Sequence, residues 1–126
     1  MLSANKKLHL DNDFNKVFKT GRSVYGRFLG VKSLDNNYGF SRFGVILGTK
    51  IEKKAVLRHL LKRRVFDIIV KIESKLLFAK DYVIIALPLI KEASVKDLES
   101  ELNYLLNPKI ALDKNTYDRK NFSNIK

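Results

Sequence analysis

The chain has 126 residues, 45% of them apolar, with 25 Lys and Arg against 13 Asp and Glu and a formal net charge of +12. That length and apolar content suit one folded domain with its own core and exclude global disorder. The absence of cysteine excludes disulfides, thiol nucleophiles and cysteine-based zinc sites. A positive excess of this size costs stability by self-repulsion and points to a polyanionic partner. Nucleic acid is preferred to membrane, since no apolar run approaches the ~20 residues needed to span a bilayer.

In chain order, Met1 to Leu10 lacks the apolar stretch of a signal peptide, so the expected location is the cytoplasm. Asp11-Asn12-Asp13 offers N-cap oxygens, and Phe14, Val17 and Phe18 follow at helical spacing; with Gly21 as a stop, this predicts a helix over residues 12–19. From Arg22 to Leu34 the residues are mostly β-branched, aromatic or small, and Gly26 and Gly30 interrupt them. The reading is a bent strand or two short ones, with Val24, Phe28 and Lys32 on one face. Asp35 to Gly39 is a turn cluster, and Phe40 to Leu47 the next strand.

Between Glu52 and Asp67 stand Lys53, Lys54, Arg58, Lys62, Arg63 and Arg64 with no acid among them. A helix is predicted from about Lys53 to Ile72. At about 100° per residue Arg58, His59, Lys62 and Arg63 share one arc, and Leu57, Leu61, Val65, Ile68 and Ile72 another. Packing by one stripe while presenting fixed cations on another suits a phosphate backbone. Phe66 and Val70 lie off the apolar stripe, so the second half of the helix is expected to be covered on two sides. DNA is disfavoured as partner, because that half is too apolar to lie exposed in a major groove.

Tyr82 to Leu87 reads as a buried strand ended by Pro88. Ser94 and Asp97 form a capping-box pattern, followed by a stripe of Val95, Leu98, Leu102, Leu105 and Leu106, with Asn107-Pro108 as the stop. The polar tail over residues 109–126 is expected to fray, leaving about residues 5–108 ordered as a single RNA-binding domain. The order is αβββαβα, an α+β sandwich with helices packed on one sheet. The acids are scattered; Asp97 and Glu101, four apart and off the stripe, read as a solvated face. Neither a catalytic residue nor a protein-held metal is expected.

Four segments in collinear order resemble a known family. Asp13-Phe-Asn-Lys-Val-Phe-Lys-Thr-Gly21, Arg42-Phe-Gly-Val-Ile-Leu47, Ala55-Val-Leu-Arg58-His-Leu-Leu-Lys62-Arg63 and Asp81-Tyr-Val-Ile-Ile-Ala86 are similar to motifs of the bacterial ribonuclease P protein subunit. The resemblance implies a ribosomal protein S5 domain 2-like fold. It also implies a non-catalytic subunit that supports removal of the 5′ leader from precursor tRNA, with Mg²⁺ held mainly by the catalytic RNA. Its two RNA surfaces would be the basic helix (Lys53, Lys54, Arg58, His59, Lys62, Arg63), docking on the catalytic RNA, and a cleft for the leader. Phe14 and Phe18 match the family's cleft aromatics, and Arg22, Arg27, Phe28, Lys32 and Lys50 are nearby candidates. The chain departs from the family at Leu60 and Phe66, where basic residues are usual, at Lys32, where an aromatic is common, and at Thr49 of the closing basic pair. Those departures keep open a second reading, a non-enzymatic RNA-binding module, ribosome-associated or chaperone-like, on the same fold.

Overall fold

A computed structural model describes residues 4–9, 11–76 and 79–106. The elements follow the predicted order: α1 (Asp11–Thr20), β1 (Arg22–Tyr25), β2 (Leu29–Asp35), β3 (Arg42–Ile46), α2 (Ala55–Ile72), β4 (Lys80–Ala86) and α3 (Val95–Leu105), with short 3-10 turns at Ala4–Lys6, Glu73–Lys75 and Pro88–Glu92. The four strands form one sheet in the order β1-β2-β4-β3. β2 runs antiparallel to β1 and β4, while β3 runs parallel to β4. The outer edge of β3 meets residues 7 and 8: Lys7 bridges Phe43 in parallel and the Leu8 N–H donates to the Phe43 carbonyl at 2.8 Å. The expected stop at Asn107-Pro108 and the frayed tail lie outside the described residues.

Side-chain alternation along the strands divides the core in two. On one face Val24, Leu29, Val31, Phe43, Val45, Tyr82, Ile84 and Ala86 pack under α2 and α3, which contribute Val65, Ile68, Ile69, Ile72, Leu98, Leu102 and Leu105. Each Val, Leu, Ile or Phe side chain among them, fully buried, contributes roughly 1.5–3 kcal/mol. The other face carries α1 and the N-terminal segment: Leu8, Val17 and Val83 are buried there, with Phe14, Leu34, Ile46 and Ile85 packed around them.

Three expectations are corrected. Val24 and Lys32 do not share a face, because the hairpin register pairs Ser23 with Lys32 and Val24 with Val31; Val24 joins the α2–α3 core and Lys32 points to the α1 side. Leu57 lies outside the core at 40% exposed, whereas Leu61, one turn on, packs against it, and Ile69 belongs to the stripe instead. Glu101 is not a solvated acid. Its Oε1 accepts the Arg27 N–H and its Oε2 those of Phe28 and Leu29, all at 2.7 Å. Three consecutive amides in a turn make a cradle for an anion, and α3 fills it with its own carboxylate. The capping box is present as predicted, with Ser94 and Asp97 each accepting the other's backbone N–H at 3.0 Å.

Candidate nucleic-acid interface

Helix α2 begins in a way that helix physics alone disfavours. No side chain caps it, its first turn holds no acid, and Lys53 and Lys54 sit at the end where the macrodipole is already positive. Lys54 is extended, which delays the helix from the predicted start to Ala55. A network behind the turn holds this end in place. The buried Glu52 carboxylate accepts the Lys54 N–H at 3.1 Å and the Lys91 ammonium at 2.9 Å. Those two contacts, Lys91 first, hold the Glu52 carboxyl below the usual range. Arg58 Nη1 donates to the carbonyls of Glu52 and Lys53 at 3.0 and 2.8 Å. Of the predicted docking residues, Lys53, Lys54, His59 and Arg63 are exposed, and Arg58 and Lys62 half-buried. The resulting array is continuous: two lysines at the positive end of a helix, then Arg58, His59, Lys62 and Arg63 over its first three turns.

The cleft candidates separate into two groups. Phe14, Phe18 and Lys32 come together on the α1 side of the sheet: Phe18 is 39% exposed, and the Lys32 ammonium stands 5.2 Å from its ring centroid. Phe14 lies across β3, its ring filling the space where a Cβ on Gly44 would stand. Glycine at 44 is what lets α1 approach the strand, and the half-buried Ile46 and Ile85 pack on the same side. These glycine and isoleucine positions carry no charge or aromatic signal, so the sequence did not single them out. Arg27 and Phe28 belong elsewhere: they occupy the β1–β2 turn beside α3, with the Arg27 guanidinium 5.3 Å from the Phe28 centroid and Phe28 packed on the α2–α3 core. Arg22 is exposed at the start of β1, at the opposite end of the strand from that turn, and Lys50 is exposed on the loop between β3 and α2.

Among the described residues no group of three or more His, Asp or Glu side chains is placed to hold a metal ion. Asp81, Glu101 and Glu52 are engaged in other work. Asp81 is paired in fork geometry with Arg42, at 2.8 and 2.6 Å, and Asp13 approaches the same guanidinium at 3.6 Å. That hydrogen bond to Asp81 holds the Arg42 pKa above its ordinary value. Glu101 fills the hairpin cradle and Glu52 the α2 entrance, so this donor set does not fit a divalent cation. No helix among the described residues is long and apolar enough to cross a membrane.

Fold and charge together define a strongly basic α+β protein, with a cationic helix on one side of a mixed sheet and Phe14, Phe18 and Lys32 on the other. The Ribonuclease P family model matches residues 2–109. The ribonuclease P protein component of Alkaliphilus metalliredigens is 31% identical over 105 residues, covering 83% of this chain and 94% of that protein. Among solved structures, a Staphylococcus aureus RNase P protein mutant with defective mRNA degradation activity superposes with a TM-score of 0.75 at 28% identity, over 85% of this chain and 88% of its own. The RNase P protein of Thermotoga maritima gives 0.73 at 29% identity, over 79% and 94%. This chain belongs to the ribonuclease P protein component family. The second reading, a non-enzymatic ribosome-associated or chaperone-like RNA-binding module on the same fold, is not favoured.

Proposed function

We propose that this chain serves as the protein subunit of the endoribonuclease ribonuclease P by offering two RNA surfaces on opposite sides of its sheet. The start of α2 docks on the catalytic RNA. The single observation that carries this reading is the placement of Lys53, Lys54 and Arg58 at the positive end of an uncapped helix. That arrangement opposes helix stability and is favourable when a phosphate backbone completes it. Arg58, already hydrogen-bonded to the loop through one terminal nitrogen, retains further donors of its planar fork for phosphate oxygens. On the other face Phe14, Phe18 and Lys32 receive the single-stranded 5′ leader of precursor tRNA, stacking bases while the lysine meets the backbone; such platforms tolerate many sequences. The phosphodiester hydrolysis belongs to the RNA and its Mg²⁺. The protein positions substrate and offsets charge, and supplies no ligand set of its own.

Reconstitution tests this. Purified protein, a bacterial ribonuclease P RNA and precursor tRNA are combined at low Mg²⁺, and cleavage at the mature 5′ end is expected only when protein and RNA are both present. Cleavage by the protein alone would overturn the division of labour. Replacing Arg58 and Lys62 with Ala should reduce the slope of log affinity against log salt by about 0.7–0.9 per lost phosphate contact. An unchanged slope would mean that these cations face solvent.

A further inference from the structure

Beside the docking cations, α2 and the N-terminal segment enclose a groove of about 420 Å³ with a floor of Leu60, Phe66 and Val70. Its rim carries Lys7, Lys62 and Arg63, with Asp67 as the carboxylate among the lining residues. The Lys7 ammonium stands 5.1 Å from the Phe66 centroid, so one cation is fixed at the wall. Leu60 is 49% exposed in the midst of this charge. The volume falls in the range of about 300–1,000 Å³ typical of small-ligand sites. Apolar floor and cationic rim together match the two parts of one nucleotide, a flat base and an anionic phosphate. An apolar protein segment would leave the rim cations unmatched.

We propose that this groove receives a single unstacked nucleotide of the RNA on which α2 docks. Its base lies on Leu60 and Phe66, and its phosphate lies at Lys62, Arg63 or Lys7. Asp67 repels phosphate from its end of the groove and can accept a hydrogen bond from an exocyclic amine or a ribose hydroxyl. The proposal rests on the docking reading and sharpens it: the leucine at 60 is a base contact rather than a missing phosphate contact.

The chain contains no tryptophan, so Leu60→Trp introduces one fluorophore at the floor. On titration with a bacterial ribonuclease P RNA its emission should be quenched by the stacked base. Leu60→Ser should weaken binding of the same RNA by about 10-fold with an unchanged salt slope, whereas Lys62→Ala should flatten the slope. Because Leu60 lies outside the core, both Leu60 variants should melt near the wild-type temperature. An unquenched tryptophan in the RNA-bound protein, or wild-type affinity in Leu60→Ser, overturns the proposal. Wild-type RNA affinity in Leu60→Ser with reduced self-association in sedimentation overturns it in favour of a second copy of this chain as occupant. The docking reading fails separately, if Arg58→Ala and Lys62→Ala leave RNA affinity and slope untouched.

Discussion

Glu101→Ala removes the anion from the cradle at the β1–β2 turn and leaves the N–H groups of Arg27, Phe28 and Leu29 without their acceptor. A hydrogen bond to a charged group is worth about 1.5–3 kcal/mol. Simple addition over three would overshoot, since one half-buried carboxylate serves all of them and water reaches part of the site. We expect a loss of about 3 kcal/mol, a large fraction of the roughly 5–15 kcal/mol that holds a domain folded. Glu101→Gln separates charge from shape. An amide oxygen in the Oε2 position keeps the bonds from Phe28 and Leu29, but turns its NH₂ toward the Arg27 N–H, so about half the loss should appear. The assay is urea unfolding, read as a lower midpoint at constant slope. Gly26 supplies a cross-check. A Cβ there would stand 2.6 Å from the Glu101 carboxyl carbon, and the side chain can move aside only by releasing the three amides. Gly26→Ala and Glu101→Ala should therefore combine to less than their sum. A Glu101→Ala protein within about 0.5 kcal/mol of wild type, the scatter of neutral surface changes, would refute this account of how α3 is fastened to the hairpin.

Three further outcomes are expected. Burial, and secondarily the charge of Asp35, pushes the Tyr82 phenol up to about 12. Stability from this group is present below pH 10 and lost as pH rises from about 10 to 12, by about 3 kcal/mol, and Tyr82→Phe should flatten that alkaline decline in circular-dichroism melts. Glu52 has the opposite sign: with its pKa lowered from 4.5, its contribution is present above that pH and is lost on acidification below it. Glu52→Gln should then show a shallower acid limb, and an identical limb would remove Glu52 as its source. In the cleft, Phe18→Ala with Lys32→Ala should weaken binding of leader-bearing precursor tRNA to the reconstituted enzyme about 10-fold while sparing mature tRNA; equal losses on both substrates would mean that the pair does not touch the leader.

Features whose cause lies within a few residues were legible from the sequence. The capping box of Ser94 and Asp97, the α1 stripe of Phe14, Val17 and Phe18, and the cation array of α2 each follow from local spacing. Features made by distant backbone were not. Glu101 looked solvated because its partners are amide groups more than 70 positions away in the chain, and amides leave no trace in a side-chain pattern. The Lys7–Phe66 contact is hidden because it joins two side chains far apart in the sequence. Strict period-two alternation from Val24 puts Lys32 on the wrong face, because the hairpin register inverts the parity between β1 and β2. Leu57 fits the helical stripe, but a stripe does not say which of its positions meet the rest of the fold.

The strand order β1-β2-β4-β3 has a consequence for synthesis. β4 lies between β2 and β3 and is the last of the four to be made. Roughly forty residues separate the end of β3 at Ile46 from that of β4 at Ala86, about 2–8 s of elongation at typical rates of 5–20 residues per second. During that interval β3 has no neighbouring strand, and the contact available to it from earlier chain is the short pairing with Lys7 and Leu8. Helix α2 emerges in the same interval, before β4 and α3, which share its core, have been made. Assembly of the sheet therefore waits until residue 86 has cleared the exit tunnel, and α2 leaves that tunnel before β4 does.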